Sequence, residues 1–112
     1  MIDIKETYRD NDIFEMSYNN KRHIILAIDE GYEPFLDIKE RICDEFKLEI
    51  INEYGLTDMY ASFIFHGSSL ELEYFSMDEM ITLITDTTDE TLLNKFREMA
   101  RELSRPWKKH KN

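Results

Sequence analysis

Residues 75–86 read FSMDEMITLITD, and whether they coil or extend decides how the whole chain is assembled. Ile81, Thr82, Ile84 and Thr85 are β-branched, which favours a strand. Three features favour a helix. Ser76-x-x-Glu79 is a capping box, Phe75 and Met80 occupy the two positions of a hydrophobic staple, and Met77, Met80, Ile81 and Ile84 recur at helical steps. The local signals together predict a short helix over 77–85, with a third strand as the alternative.

The flanking segments are easier to read. Upstream, DMYASFIFHGSSLELEYF (58–75) predicts a β-hairpin turning at Gly67, Ser68 and Ser69. Leu70, Leu72 and Tyr74 alternate there with Glu71 and Glu73, which point out of the sheet. Downstream, Thr87-x-x-Glu90 is a second capping box. It opens a helix with the apolar stripe Leu92, Leu93, Phe96, Met99, Ala100 and Leu103, and Pro106 is expected to end it.

Near the N-terminus, DIFEMSYNNKRHIILAIDEG (12–31) predicts another hairpin. Phe14, Met16 and Tyr18 form the apolar face of its first strand, Asn19-Asn20 the turn, and Ile24 to Ile28 a central return strand. Between the hairpins, Phe35, Ile38, Ile42, Phe46 and Ile50 form one stripe of a helix over 34–54, with Pro34 in its first turn and Gly55 as its stop. The expected order is ββαββαα, or ββαβββα with the alternative reading. Either is an α+β domain with helices packed on an antiparallel sheet. Residues 1–105 form one domain and 106–112 a basic tail, with Trp107 packed back on the body.

Composition narrows the function classes. The chain has 112 residues and a net charge of −10. Residues 1–94 carry 22 acids against 7 bases, and residues 95–112 carry 2 acids against 7 bases. A body this negative repels nucleic acid and anionic membranes and attracts basic proteins. The charged N-terminus MIDIKETYRD lacks the apolar core of a secretory signal, and no apolar run is long enough to span a bilayer. The single cysteine, Cys43, suits a reducing compartment, so the cytoplasm is expected.

Catalytic chemistry has no visible seat. No phosphate loop or dinucleotide fingerprint is present, the histidines lack metal-ligand spacing, and no cofactor is implied. His66 beside Ser68 and Ser69 reads as a turn, because nothing local supplies an orienting third group or an oxyanion hole. Cys43 has Asp44 and Glu45 as neighbours, which disfavours its thiolate.

What remains is the acidic helix. Residues 33–55 hold seven acids and three bases, and Glu33, Asp37, Glu40 and Asp44 fall on one side of the helix, opposite the apolar stripe. Glu49 lies to the flank, and Tyr32 and Tyr54 are placed at the two ends. Aromatic residues beside a charged patch suit a protein-binding hot spot. These seven residues are the expected partner-facing set.

In size, acidity and absence of catalytic motifs, the whole chain resembles immunity proteins of bacterial toxin systems, such as those of contact-dependent growth inhibition, other polymorphic toxins and nuclease bacteriocins. The resemblance implies a small cytoplasmic inhibitor that neutralises a basic toxin domain, with a nuclease as the expected target. Two other classes share some of these features. A nucleic-acid mimic would also be acidic but would compete with DNA for its target. A small enzyme or ligand-binding domain would show an apolar pocket with convergent polar groups.

Overall fold

A computed structural model describes residues 5–9, 13–26, 32–77 and 80–108. The elements run β1 (Lys5–Arg9), β2 (Ile13–Tyr18), β3 (Lys21–Leu26), α1 (Tyr32–Glu45), β4 (Asn52–Gly55), β5 (Met59–Phe65), β6 (Ser68–Phe75), β7 (Met80–Thr85) and α2 (Glu90–Lys108). The strands form one antiparallel sheet in the order β1-β2-β3-β7-β6-β5-β4. Both helices pack on one face of it, so the chain is α+β.

The deciding stretch is a strand, which overturns the helix expected over 77–85. β7 lies at the centre of the sheet and joins the two hairpins, pairing with β3 on one side and β6 on the other. A helix here would have left two long strand edges without hydrogen-bond partners. The local helix signals are redirected. Ser76 turns to Asp58, whose Oδ1 accepts from the Ser76 backbone N–H (2.9 Å) and hydroxyl (3.1 Å). Phe75 and Met80, the supposed staple, face each other as cross-strand partners. Glu79, the acid of the capping box, lies outside the described residues. β1 and β4 are additions that neither expected order contained.

Helix α1 is shorter than expected, ending at Glu45 rather than near Gly55. Lys47 takes a left-handed conformation (φ 57°) one residue beyond the last helical hydrogen bond, Phe46 N–H to the Ile42 carbonyl. The chain then extends, and Ile51 N–H donates to the Ser62 carbonyl (2.8 Å) as β4 joins the sheet edge. Phe35, Ile38 and Ile42 are buried as expected. Each such side chain contributes about 1.5–3 kcal/mol relative to exposure.

Helix α2 starts and stops differently from the sequence reading. Its cap is Asp89, whose Oδ1 accepts from Thr91 N–H (3.0 Å); Thr87 instead accepts from Asp89 N–H. At the far end the helix continues through Pro106 to Lys108. A proline lacks the N–H that would satisfy the carbonyl four residues earlier, here that of Glu102. Arg41 of α1 replaces it: Nη2 donates to the Glu102 carbonyl (3.3 Å) and Nη1 to that of Leu103 (3.1 Å). The same junction is closed by Trp107, which packs against the core and donates from Nε1 to Asp37 Oδ2 (3.1 Å).

Both hairpins between β2 and β3 and between β5 and β6 use two-residue turns with positive φ. Asn19 and Asn20 (55° and 62°) match the expected turn. The second is His66-Gly67 (51° and 80°), and Ser68 and Ser69 already belong to β6.

The faces of β2 are the reverse of the expected ones. Ile13 and Glu15 point under the helices and are buried, while Phe14, Met16 and Tyr18 lie on the other face, which no element among the described residues covers. Glu15 has no exposed side chain and is held by a dense set of donors. Arg97 of α2 gives Nε to Oε1 (2.7 Å) and Nη2 to Oε2 (3.1 Å). Arg22 and Thr7 add bonds of 2.7 and 2.8 Å to Oε2. Arg97, a charged residue of α2, is thereby buried. Its guanidinium also stacks over Tyr8 and reaches Glu90. This ion pair fixes α2 above the β1-β2-β3 half of the sheet.

Candidate partner-binding surfaces

Two surfaces remain once internal packing is accounted for: the outer side of α1 and the uncovered face of the sheet. On α1, Glu33, Glu40 and Asp44 are exposed, and none has an ion-pair partner among the described residues. The bases of the same helix turn elsewhere. Lys39 pairs with Glu53 on β4 (2.9 Å), and Arg41 pairs with Glu45 (2.8 Å) while reaching α2. The like-charge repulsion among Glu33, Glu40 and Asp44 is left standing because Lys39 is committed to β4 and Arg41 to Glu45 and α2.

The other expected contact residues divide. Asp37 is half-buried and engaged by Trp107, so it joins the helices rather than facing a partner freely. Glu49 is exposed but follows the helix instead of lying on its flank. Tyr54 does not edge the acidic side. It sits on β4, pointing to the uncovered sheet face, where it stacks on Tyr60 with ring centroids 4.9 Å apart. Tyr32 begins α1, and its side chain lies outside the described residues.

The uncovered sheet face is a mosaic set by strand register. Phe14, Met16, Ile25, Met80, Ile84, Phe75 and Tyr60 supply apolar area, interrupted by His23, Glu71 and Glu73. Glu71 is satisfied: Lys21 Nζ (3.2 Å) and the Tyr60 hydroxyl (2.8 Å) donate to it. Glu73, next along β6, has no hydrogen bond or ion pair among the described residues. Burial, with the nearby Glu71 charge, pushes its carboxyl above the ordinary range. His23 is pushed the opposite way, chiefly by burial, so its ring is neutral near pH 7. Between them the face dips into a trough of about 420 Å³. From sequence, His23 stood in a strand with no metal or catalytic partner at recognisable spacing, and Glu73 read as an outward carboxylate. Only the pairing of β3 and β6 with β7 brings them to one concavity.

Other features carry less chemistry. Cys43 is half-buried, and burial followed by the Asp44 charge raises its thiol above the ordinary value, which disfavours a nucleophile. Among the described residues no three His, Cys, Asp or Glu side chains converge where a metal ion could sit, and no helix is long and apolar enough to cross a membrane. No family model, curated protein or solved structure matches the chain.

Proposed function

We propose that the chain is an acidic inhibitor that captures a basic protein domain in the cytoplasm, in the manner of immunity proteins that neutralise bacterial toxins. The observation that carries this reading is the row of Glu33, Glu40 and Asp44, exposed along α1 with no ion-pair partner among the described residues, while Lys39 is drawn to Glu53 and Arg41 to Glu45 and the end of α2. Such a row is a standing source of negative potential on a rigid support. It favours fast, steered association with a cationic surface over slow, area-driven docking. Asp37 contributes field from a fixed position, and Glu49 adds an exposed carboxylate beyond the helix end.

The reading is tested by affinity capture from a lysate of the protein's own source at low and high salt, read by mass spectrometry, followed by stopped-flow association with the recovered polypeptide. Recovery of one basic polypeptide whose association slows steeply with salt supports it. The triple substitution Glu33→Lys, Glu40→Lys, Asp44→Lys should slow association at low salt by at least tenfold and leave dissociation less changed. Equal association rates for the triple variant and the wild type would remove α1 as the capture surface.

A further inference from the structure

We propose that the trough on the uncovered sheet face is a second, separate binding site, for a small amphiphilic cation with an alkyl stem and a protonated amine or guanidine head. It lies on the opposite side of the sheet from α1 and does not depend on the capture of a basic protein. Its lining includes Met16 of β2, His23 and Ile25 of β3, Met80 and Ile84 of β7, and Glu73 of β6. Its volume of about 420 Å³ falls within the range usual for small-molecule sites, about 300–1,000 Å³.

The polar groups in this lining select the ligand's charge. Register places His23 and Ile84 in one cross-strand row and Ile25, Thr82 and Glu73 in the next, so His23 and Glu73 stand on either side of β7. Two strand spacings separate β3 from β6, roughly 10 Å. The Tyr18 backbone beside the His23 ring favours the proton on Nδ1, which leaves Nε2 as a lone-pair acceptor. That atom is buried and has no hydrogen-bond partner among the described residues. A buried acceptor without a donor is costly, and native proteins rarely leave one unexplained.

Glu73 is the second acceptor without a donor. Both unmet groups therefore ask for N–H donors, and Glu73 asks for a positive one. An anionic ligand would meet Glu73, Glu71 and the overall negative charge, and a purely apolar ligand would leave both acceptors unsatisfied. The rest of the lining answers to an alkyl stem. Met16 and Met80 are flexible and adapt to irregular shapes, and Ile25, Ile84 and Phe75 add apolar surface from the strands.

The test uses the intact chain, with methyl and amide NMR titrations near neutral pH. The probes are hexylammonium, 1-hexanol, hexanoate and Nα-acetyl-lysine amide, each taken to tens of millimolar. The expected result is saturable shifts at Met16, Ile25, Met80 and Ile84 with hexylammonium, at least tenfold weaker binding of hexanol, and none of hexanoate. Glu73→Gln should weaken hexylammonium about tenfold while hexanol is unaffected. Equal binding of hexylammonium and hexanol would reduce the trough to apolar surface and overturn the proposal, and so would the absence of saturable shifts there. Tighter binding of Nα-acetyl-lysine amide than of hexylammonium would make the occupant a partner's lysine side chain and overturn the small-ligand assignment. The comparison of probes on the wild type needs no variant to fold.

Discussion

Glu15→Gln removes a charge while keeping shape, and it should cost about 3 kcal/mol of folding stability. The carboxylate is fully buried and accepts from Arg97 twice, from Arg22 and from Thr7. Breaking a buried pair by deleting one partner costs about 3–5 kcal/mol, because the remaining charge is left in a poor solvent. Arg97 keeps bonds to Glu90 and Asn94, which places the expected loss at the lower end. Against a total of about 5–15 kcal/mol this is a large fraction, and at about 4 °C per kcal/mol the melting temperature falls by about 12 °C. Urea unfolding followed by circular dichroism measures the loss directly.

The same carboxyl should shape the acid limb of the stability curve. Burial pushes it up, but the bonds from Arg97, Thr7 and Arg22 outweigh that and hold it below its ordinary value. A carboxyl lowered on folding contributes stability that is present above the unfolded value and is lost as pH falls through the folded one. Wild-type stability should therefore decline below the ordinary carboxylate range, and Glu15→Gln should lack that part of the decline. The double variant Glu15→Met, Arg97→Met should cost clearly less than the two single losses added together, since it removes both charges. A loss under about 1 kcal/mol for Glu15→Gln, or strict additivity in the double variant, would refute the argument that this pair is a desolvated, mutually dependent unit.

Two further outcomes follow from backbone accounting. Arg41→Ala should destabilise by about 0.5–1.5 kcal/mol by removing the donors to the exposed Glu102 carbonyl and the part-buried Leu103 carbonyl, and the cost should shrink in a Pro106→Ala background, where a backbone N–H returns; a thermal-denaturation double-mutant cycle reads the coupling. Asn20→Gly should stabilise by a few tenths to about 1 kcal/mol, because Asn20 already sits at φ 62° and glycine adopts that conformation without steric cost; chemical denaturation of the single variant checks the sign.

The differences between sequence and structure concern partners rather than periods. Phe14, Met16 and Tyr18 do alternate with Glu15 and Ser17, yet a period of two says only that the faces differ, not which is inside. Glu15 goes inside because Arg97, more than eighty positions later, is there to meet it. The apolar members of β2 then fall on the uncovered face and help build the trough. The outer stripe of α1 was legible because Phe35, Ile38 and Ile42 mark its inner side by spacing alone. That Lys39 would reach Glu53 and Arg41 the end of α2 was not, since neither destination is adjacent in sequence.

Sequence by itself determined the α+β class, the two hairpins with their turn regions, the apolar stripe of α2, that of α1 as far as Ile42, and the negative excess of the body. Each of these follows from side-chain spacing, turn chemistry or charge counted over short windows. Tertiary structure decided what 75–86 became. Its capping box and staple are worth about a kilocalorie or two in an isolated helix, whereas a central strand satisfies the open edges of β3 and β6 along its whole length. The ladder outweighs the cap, and with β7 in place His23 and Glu73 come to line one trough from either side of it.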